Sequence, residues 1–254
     1  PYINMFAKGC RANPIDPEEF DYDSSNDPVV LRGILKKKII YKCWRNDRTF
    51  FYVDSGYFGN EVSKYNPHGW KYWHRIVKND LQLTKIKDVP DDRFQNFKKK
   101  IKPWKKDGRK ILIAAPDEKP MKFYGLDLET WLSDTIEEIK KYTDRPIEVR
   151  RRDPLRINRT VNKPFLESLH DDVFALVTYN SNAAVESIFE GIPVFPLAPA
   201  SAAKPVSKND LSKIENPYYP DSDFVYRWAC SLAYGQFHVN ELRSGKAMEL
   251  LEIL

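Results

Sequence analysis

The sequence predicts an α/β protein of two Rossmann-like lobes with a cleft between them. Three observations lead there. From residue 110 onward, short apolar runs alternate with helical periodicity in the order β-α-β-α-β-α-β, the pattern of a parallel, Rossmann-like sheet covered by helices. Before it, "VVLRGI" (29–34), "IIYKCW" (39–44) and "TFFYVD" (49–54) read as β segments of a separate first lobe. Between them, Pro103 interrupts helix and Gly108 permits a turn, so the lobes are taken as 1–105 and 106–254. A chain of 254 residues has room for two cores of roughly 100 to 150 residues each.

Each element has its own signal. After the three β segments comes an aromatic, irregular stretch, "NPHGWKYWHRIVKNDLQLTKI". A helix is expected from about Asp91 to Lys102, because Phe94, Phe97, Ile101 and Trp104 recur at helical spacing. "KILIAAP" (110–116) is a strand stopped by proline, and "RPIEVR" (145–150) is the next strand. Between them "DLETWLSDTIEEIKKYT" (127–143) is amphipathic, with Leu128, Trp131, Leu132, Thr135, Ile136 and Ile139 inward. "KPFLESLHD" reads as a helix leading into the strand "DVFALVTYN". The last crossover is "VTYNSNAAVESIFEGIPVF", residues 177–195. Asn180, Ser181 and Asn182 favour a turn and a helix N-cap; Ala183, Ala184, Val185, Ile188 and Phe189 sit at helical spacing. Gly191 ends that helix before Ile192-Pro193-Val194-Phe195 resumes a strand. The turn thus lies at the carboxyl end of a strand, where open α/β sheets bind ligands.

Composition excludes several classes. The chain is 42% hydrophobic and 30% charged with 14 Tyr and 14 Phe, which fits a folded globular protein and not a disordered one. No apolar run approaches a membrane span, and the opening PYINMFAKGC lacks a signal-peptide core, so a cytoplasmic location is expected. Pro1 fits a chain that has lost its initiator Met. Cys10, Cys43 and Cys230 are scattered and read as reduced thiols. The net charge of +5 is clustered: eight Lys/Arg lie between Lys98 and Lys110, five arginines (Arg150, Arg151, Arg152, Arg156, Arg159) follow "PIEV", and Lys36, Lys37 and Lys38 form a third group. Lys98, Lys99, Lys102, Lys105 and Lys106 suit a polyanion such as double-stranded DNA, or else the solvated face of the expected helix. The arginines suit the planar, bidentate recognition of phosphate.

The usual nucleotide fingerprints are missing: there is no G-x-G-x-x-G, no Walker A loop and no G-x-S-x-G elbow. "NSNAAVESIFEGIPVF" instead resembles the donor-site segment of GT-B glycosyltransferases, in which a Ser-rich turn opens a helix followed by Glu, a few apolar residues and G-x-P-V. Within that superfamily it is most similar to capsule Kdo-transferase-like and uncharacterised phage glycosyltransferase-like proteins. The resemblance extends through "IENP" and the closing "WACSLAYGQFHVNELRSGKAMELL" and is weak over the first lobe. The same motif recurs in nucleotide-sugar epimerases of GT-B architecture. One position departs: where the Kdo-transferase relatives carry a basic-His-Pro motif, this chain has Arg152-Asp153-Pro154, so CMP-Kdo is not carried over as donor.

The resemblance implies a GT-B-like glycosyltransferase using a nucleotide-sugar co-substrate and no resident cofactor. The turn Ser181-Asn182-Ala183 would present N–H groups and a hydroxyl to the donor phosphate. Glu186, as the resemblance implies, would accept from sugar or ribose hydroxyls, its alternative being a surface carboxylate near the helix start, and Arg150 and Arg152 would neutralise the leaving nucleotide without a metal. For an inverting transfer Asp54, ending a first-lobe strand in "FFYVDSGYFGN", is the candidate general base, its alternative being an Asx-turn or cap. Gly56 and Gly59 would let substrate approach the backbone. Asp21-Tyr22-Asp23 and Asp221-Ser222-Asp223 do not follow strands as a metal-binding D-x-D should; Asp221 and Asp223 are expected to cap a helix beginning near Phe224. His68, His74, His170 and His238 lack ligand spacing. The acceptor expected is a hydroxyl, with a hydroxymethylated base of phage DNA as first choice. A surface glycan, or a non-catalytic nucleic-acid-binding protein, is the alternative.

Overall fold

Two four-stranded sheets organise the chain, and the computed structural model describes residues 2–16, 18–60, 71–151 and 165–252. In chain order the elements are α1 (Tyr2–Cys10), β1 (Val29–Arg32), α2 (Lys37–Arg45), β2 (Phe50–Ser55), β3 (Trp73–Lys78), α3 (Asp92–Asn96), β4 (Lys110–Ala114), α4 (Glu118–Tyr124) and α5 (Leu128–Lys140). They continue with β5 (Ile147–Arg150), α6 (Phe165–Leu169), β6 (Val173–Thr178), α7 (Ala183–Phe189), β7 (Val194–Pro196), α8 (Ser222–Tyr234), β8 (Gln236–His238), α9 (Val239–Ser244) and α10 (Lys246–Leu251). Two compact units result. The first holds the chain up to Leu83, Lys87–Phe97 and everything from Ala229; the second holds Thr84–Ile86 and Lys98–Trp228.

This division differs from the expected 1–105 and 106–254. Residues 98–105 go with the second unit, and the chain beyond Trp228 returns to the first. Strand pairing explains the return: β8 lies antiparallel to β3, with Trp73 opposite His238 and Arg75 opposite Gln236. Phe237, Leu242, Ala247 and Leu251 then share a core with Phe6, Phe51, Val53 and Ile76. A sequence reading that counts only neighbouring elements has no signal for such a distant pairing.

The first unit's sheet has the order β1-β2-β3-β8. Only β1 and β2 are parallel, and the other two pairings are antiparallel. The sheet is therefore mixed, which corrects the expectation of a second Rossmann-like lobe. "IIYKCW" is also not a strand but the middle of α2. Ile39 and Ile40 favour strand locally, yet two parallel strands need a crossover, and Ile40 and Cys43 bury at a spacing of three as one helical face. The irregular aromatic stretch contains a strand that the sequence reading missed, β3, whose residues 74–77 are all buried.

The second unit follows expectation closely. Its sheet runs β5-β4-β6-β7 with every pair parallel. All six residues of β6 are buried, which is why "VFALVT" is apolar without alternation. Ile111, Ile113, Phe174, Ala175, Val177 and Phe195 form the core with Leu132 and Ile139 of α5. The expected strands and helices of 110–195 are present, and α4 is an addition. Its Pro120 reads as a breaker in sequence, but it lies in the first helical turn, where a missing N–H costs no intrahelical bond.

The helix expected to Lys102 stops at Asn96. Lys98 takes a left-handed conformation (φ 51°), and the chain continues as a strap against the second unit. Its backbone donors are used there: Lys102 N–H bonds the Phe189 carbonyl at 2.9 Å and Lys105 N–H that of Gly191 at 2.7 Å. Trp104 donates its indole N–H to the Pro220 carbonyl at 2.8 Å. The lysines therefore do not share a helical face. Gly191 (φ 76°) leaves no space for a side chain, since a Cβ there would stand 2.1 Å from the Pro103 carbonyl oxygen. Gly125 has nearly the same φ, 75°, and open space around it. Gly191→Ala should cost about 2 to 4 kcal/mol, and Gly125→Ala only about 1 kcal/mol. Urea midpoints of the two variants check this; equal losses would show that the strap contact at Gly191 contributes nothing.

Candidate functional site

In the first unit the polar residues gather at the carboxyl ends of β1 and β2. Parallel pairing brings these ends together, and the antiparallel β3 begins at the same edge. Arg32 closes β1, Asp54 and Ser55 close β2, and His74 and Arg75 open β3 opposite Ser55 and Asp54. Arg75 is only 7% exposed. It donates to Asp54 Oδ2 at 3.2 Å and to the Ser55 carbonyl at 2.7 Å. The same carboxylate oxygen accepts the Tyr52 hydroxyl at 2.8 Å, while Oδ1 accepts the Ser55 N–H at 2.8 Å. Burial would raise the Asp54 pKa, but Arg75, the Ser55 N–H, the Tyr52 hydroxyl and Arg32 outweigh it and hold it below the usual value. Asp54 is thus a firmly ionised counter-ion of a buried guanidinium. It keeps one third of its side chain open to solvent, at 34%.

The loop after Asp54 is held by the far end of the chain. Gln236, fully buried on β8, accepts the Tyr57 N–H at 2.7 Å and the Phe58 N–H at 3.2 Å, and donates to the Phe58 carbonyl at 3.1 Å. A Cβ on Gly56 would stand 3.0 Å from the Gln236 side-chain oxygen, and one on Gly59 2.7 Å from the Phe97 ring. These glycines serve close internal packing, which corrects the expectation that they open the backbone to substrate. The Tyr57 phenol is buried and accepts the Leu83 N–H at 2.9 Å; burial pushes its pKa up to about 12.

His74 is fully buried under the Tyr2 ring, with centroids 4.0 Å apart. Its Nε2 lies 3.2 Å from the Lys71 carbonyl, and the Asp54 backbone is a second hydrogen-bonding neighbour of the ring. Burial lowers its pKa to about 4, so the ring is neutral at pH 7. Arg32 lies over the other neighbour of this stack, its Cζ 4.2 Å from the Tyr2 centroid. Arg32, Tyr52, Arg75 and Gln236 were not singled out in sequence. Only the polar residues Arg32 and His74-Arg75 at the edges of apolar runs could have signalled them.

In the second unit the candidate edge is the carboxyl end of the parallel sheet. Ala114 of β4 is flanked in register by Arg150 of β5 and Thr178 of β6, and the Thr178 hydroxyl donates to the Ala114 carbonyl at 2.8 Å. The chain order reverses between β4 and β6, the switch point where such sheets open a crevice. Tyr179 leaves β6 into an aromatic cluster with Tyr124 and Trp131, at 5.3 and 5.9 Å. Ser181, Asn182 and Ala183 follow, all partly exposed, with Glu186 half-buried one turn into α7. Ser181 Oγ accepts the Ala183 N–H at 3.2 Å, so one of the N–H groups expected to await a ligand is already engaged. Arg150 donates to the Ser168 hydroxyl and lies 5.6 Å over the Phe165 ring.

Register therefore brings Arg150 and the Ser181 turn to one edge. Arg152, Asp153, Pro154, Arg156, Arg159 and His68 lie outside the described residues. The lysine cluster lies on the strap: Lys98, Lys102 and Lys106 are exposed, and Lys99 and Lys105 partly so. Three of its neighbouring cations are paired locally, Lys102 with Glu190, Arg109 with Asp172 and Lys110 with Glu148. Asp221 accepts the Phe224 N–H at 2.8 Å as the expected cap, and Asp23 pairs with Lys42 at 2.8 Å. Among the described residues no helix is long and apolar enough to cross a membrane.

No family model matches this chain, and no curated protein matches it. Among solved structures it is similar to Thermosulfurimonas dismutans KpsC, a beta Kdo 2,4 transferase. The identity is 11% and the TM-score 0.49, over 94% of each chain.

The depressed His74 pKa makes a prediction about acid stability. An unfolded histidine titrates near ~6.5. Between that pH and about 4 the unfolded chain takes up a proton that the folded chain refuses. Stability is thus whole above about pH 6.5 and declines as pH falls to 4, by about 3 kcal/mol for this group. Urea unfolding across that range should show the decline in the natural chain and a flatter profile in His74→Gln. Parallel profiles would mean that His74 protonates freely in the fold.

Proposed function

We propose that this protein is a glycosyltransferase, moving a sugar from a nucleotide-sugar donor to a hydroxyl acceptor. The observation that carries the reading is the switch-point edge of the second unit. There the turn whose sequence resembles a donor site, Ser181-Asn182-Ala183, follows the central strand and shares its edge with Arg150. Short hydroxyl and amide side chains at such an edge suit phosphate, and an arginine there offsets the charge that develops on a departing nucleotide. In this reading Ser181, Asn182, Ala183, Arg150 and Arg152 take the phosphates and Glu186 takes sugar or ribose hydroxyls. Charge neutralisation by these groups asks for no metal, and the transfer is read as inverting. The sugar is left open, because Arg152-Asp153-Pro154 lacks the histidine of the Kdo-transferase motif. The site of action is the cytoplasm, in keeping with three unpaired cysteines among the described residues.

The first unit is assigned the acceptor and, through Asp54, the base. Asp54 is the counter-ion of Arg75 before it is anything else, and a carboxylate held below its usual pKa is a weak proton acceptor. The two roles separate experimentally. If Asp54 is the base, Asp54→Asn lowers turnover by about 10² to 10⁴ with little change in melting temperature. If it is only the counter-ion, the variant loses about 1 to 3 kcal/mol of stability and keeps its per-molecule turnover within about tenfold. Single-turnover rates beside melting curves decide.

For the acceptor, a hydroxymethylated base of phage DNA is supported by the lysine strap, and a surface glycan is the competing acceptor. The local carboxylate partners of Lys102, Arg109 and Lys110 offset part of the charge on which the DNA reading rests. Duplex binding should lose affinity with salt at about −0.9 log units per phosphate neutralised, and Lys98, Lys105 and Lys106 changed together to Gln should flatten that slope. An unaltered slope, or no binding at low salt, removes DNA as acceptor. The donor reading is tested by melting the chain against a panel of nucleotide sugars. A true donor at 100 times its dissociation constant adds about 2.7 kcal/mol, and Ser181→Ala with Glu186→Ala should abolish the gain. A panel without any stabilising member would favour a non-catalytic protein.

A further inference from the structure

The geometry points to an anion-binding site on the first unit at Arg32, taking a ligand that carries a carboxylate or phosphate. Among the described residues the Arg32 side chain has no hydrogen-bond or ion-pair partner; its Nε is buried and its guanidinium rests on the Tyr2 ring. An arginine that simply projects into water keeps all its donors hydrated. Here one donor is withdrawn from water and unmet, a cost of about 1 to 3 kcal/mol that a ligand oxygen would remove.

Charge at this edge leads to the same conclusion. Arg32 and Arg75 are both close enough to Asp54 to act on its carboxyl, and His74, within reach of Arg32, is neutral at pH 7. Asp54 is bound to Arg75 at 3.2 Å, whereas Arg32 has no such contact among the described residues and acts on that carboxylate only across space. Among the described residues two guanidinium charges thus share one carboxylate, and an anion beside Arg32 would balance them. The cation-π contact with Tyr2 holds the planar fork in place but supplies no acceptor. Next along the chain, Gly33 (φ 67°) has open space where a side chain would be, so an incoming ligand meets backbone instead of a Cβ. Lys36, Lys37 and Lys38 follow within two turns and add positive potential.

Identifying the ligand as the acceptor rests on the transfer reading above; the anion site does not.

The test is thermal unfolding of the full chain without any nucleotide sugar, in glucuronate, inorganic phosphate or gluconate, each against chloride at matched ionic strength. Binding at Arg32 should raise the melting temperature by about 2 °C or more at saturation. Arg32→Gln should weaken the half-maximal concentration by about tenfold or more, the loss of a charge-assisted pair. The anion that stabilises at the lowest concentration tells a carboxylate site from a phosphate site. No stabilisation beyond chloride by any of the three, or an effect unchanged in Arg32→Gln, overturns the proposal. Should Arg32→Gln fail to fold, the Arg32 Nε–H resonance of the natural chain decides. It moves downfield on titration if the anion sits there, and a resonance unmoved at saturating anion overturns the site. Because no donor is present, a failed donor panel leaves this result standing.

Discussion

A guanidinium that is 7% exposed must be surrounded by acceptors, and the first unit is arranged around that requirement. Arg75 takes the Asp54 carboxylate, the Ser55 carbonyl and, at 3.4 Å, the Leu81 carbonyl, between the rings of Tyr52 and Tyr57. These bonds fix the end of β2, the start of β3 and the chain beyond β3 in one step. Tyr57 then receives the Leu83 N–H, and Gln236 secures the loop from the other side. The loop geometry follows from satisfying one buried charge. So does the distribution of charge, because the carboxylate named in these contacts is bonded to Arg75 and reaches Arg32 only across space.

The second unit depends on a different constraint, the close approach of backbones. Gly108 (φ 139°) lies where a Cβ would stand 2.6 Å from the Phe174 backbone, and Gly191 does the same against Pro103. The strap 98–109 can therefore lie flat between the end of α7 and the start of β6, using its own N–H groups as partners. The candidate donor turn sits at the opposite end of α7. A helix of seven residues, fully buried over Ala184, Val185, Ser187, Ile188 and Phe189, transmits the position of one end to the other.

What could be read from sequence divides along contact range. The β4–β7 region was legible nearly element by element, because each strand pairs with others of the same contiguous stretch and each turn carries its own Asn, Ser, Gly or Pro. The candidate donor edge was legible for the same reason: Arg150 and Ser181 both end apolar runs. In the first unit the sequence misleads where local preference and long-range demand disagree. Ile39-Ile40 favours strand but must supply a crossover, and Phe94 to Trp104 keeps helical spacing although Lys98 and Pro103 turn the chain into a strap. His74 and Arg75 were hidden because buried polar residues inside an aromatic stretch resemble surface ones until their partners are known. Gln236 was hidden further, since its role exists only once β8 is placed beside β3.

That last pairing has a consequence in time as well as in space. Gln236 and the Tyr57 backbone it holds are 179 positions apart. On the ribosome the second unit, contiguous from Lys98 to Trp228, is complete in sequence while the first still lacks its fourth strand and two of its helices. Until β8 emerges, β3 presents an unpaired edge, and the loop carrying Tyr57 and Phe58 has two N–H groups without an acceptor. Maturation of the Asp54 edge thereby waits for β8. A nascent chain that has not yet reached β8 can hold a finished parallel sheet and still have no finished Asp54 edge, so the order of translation itself withholds that edge.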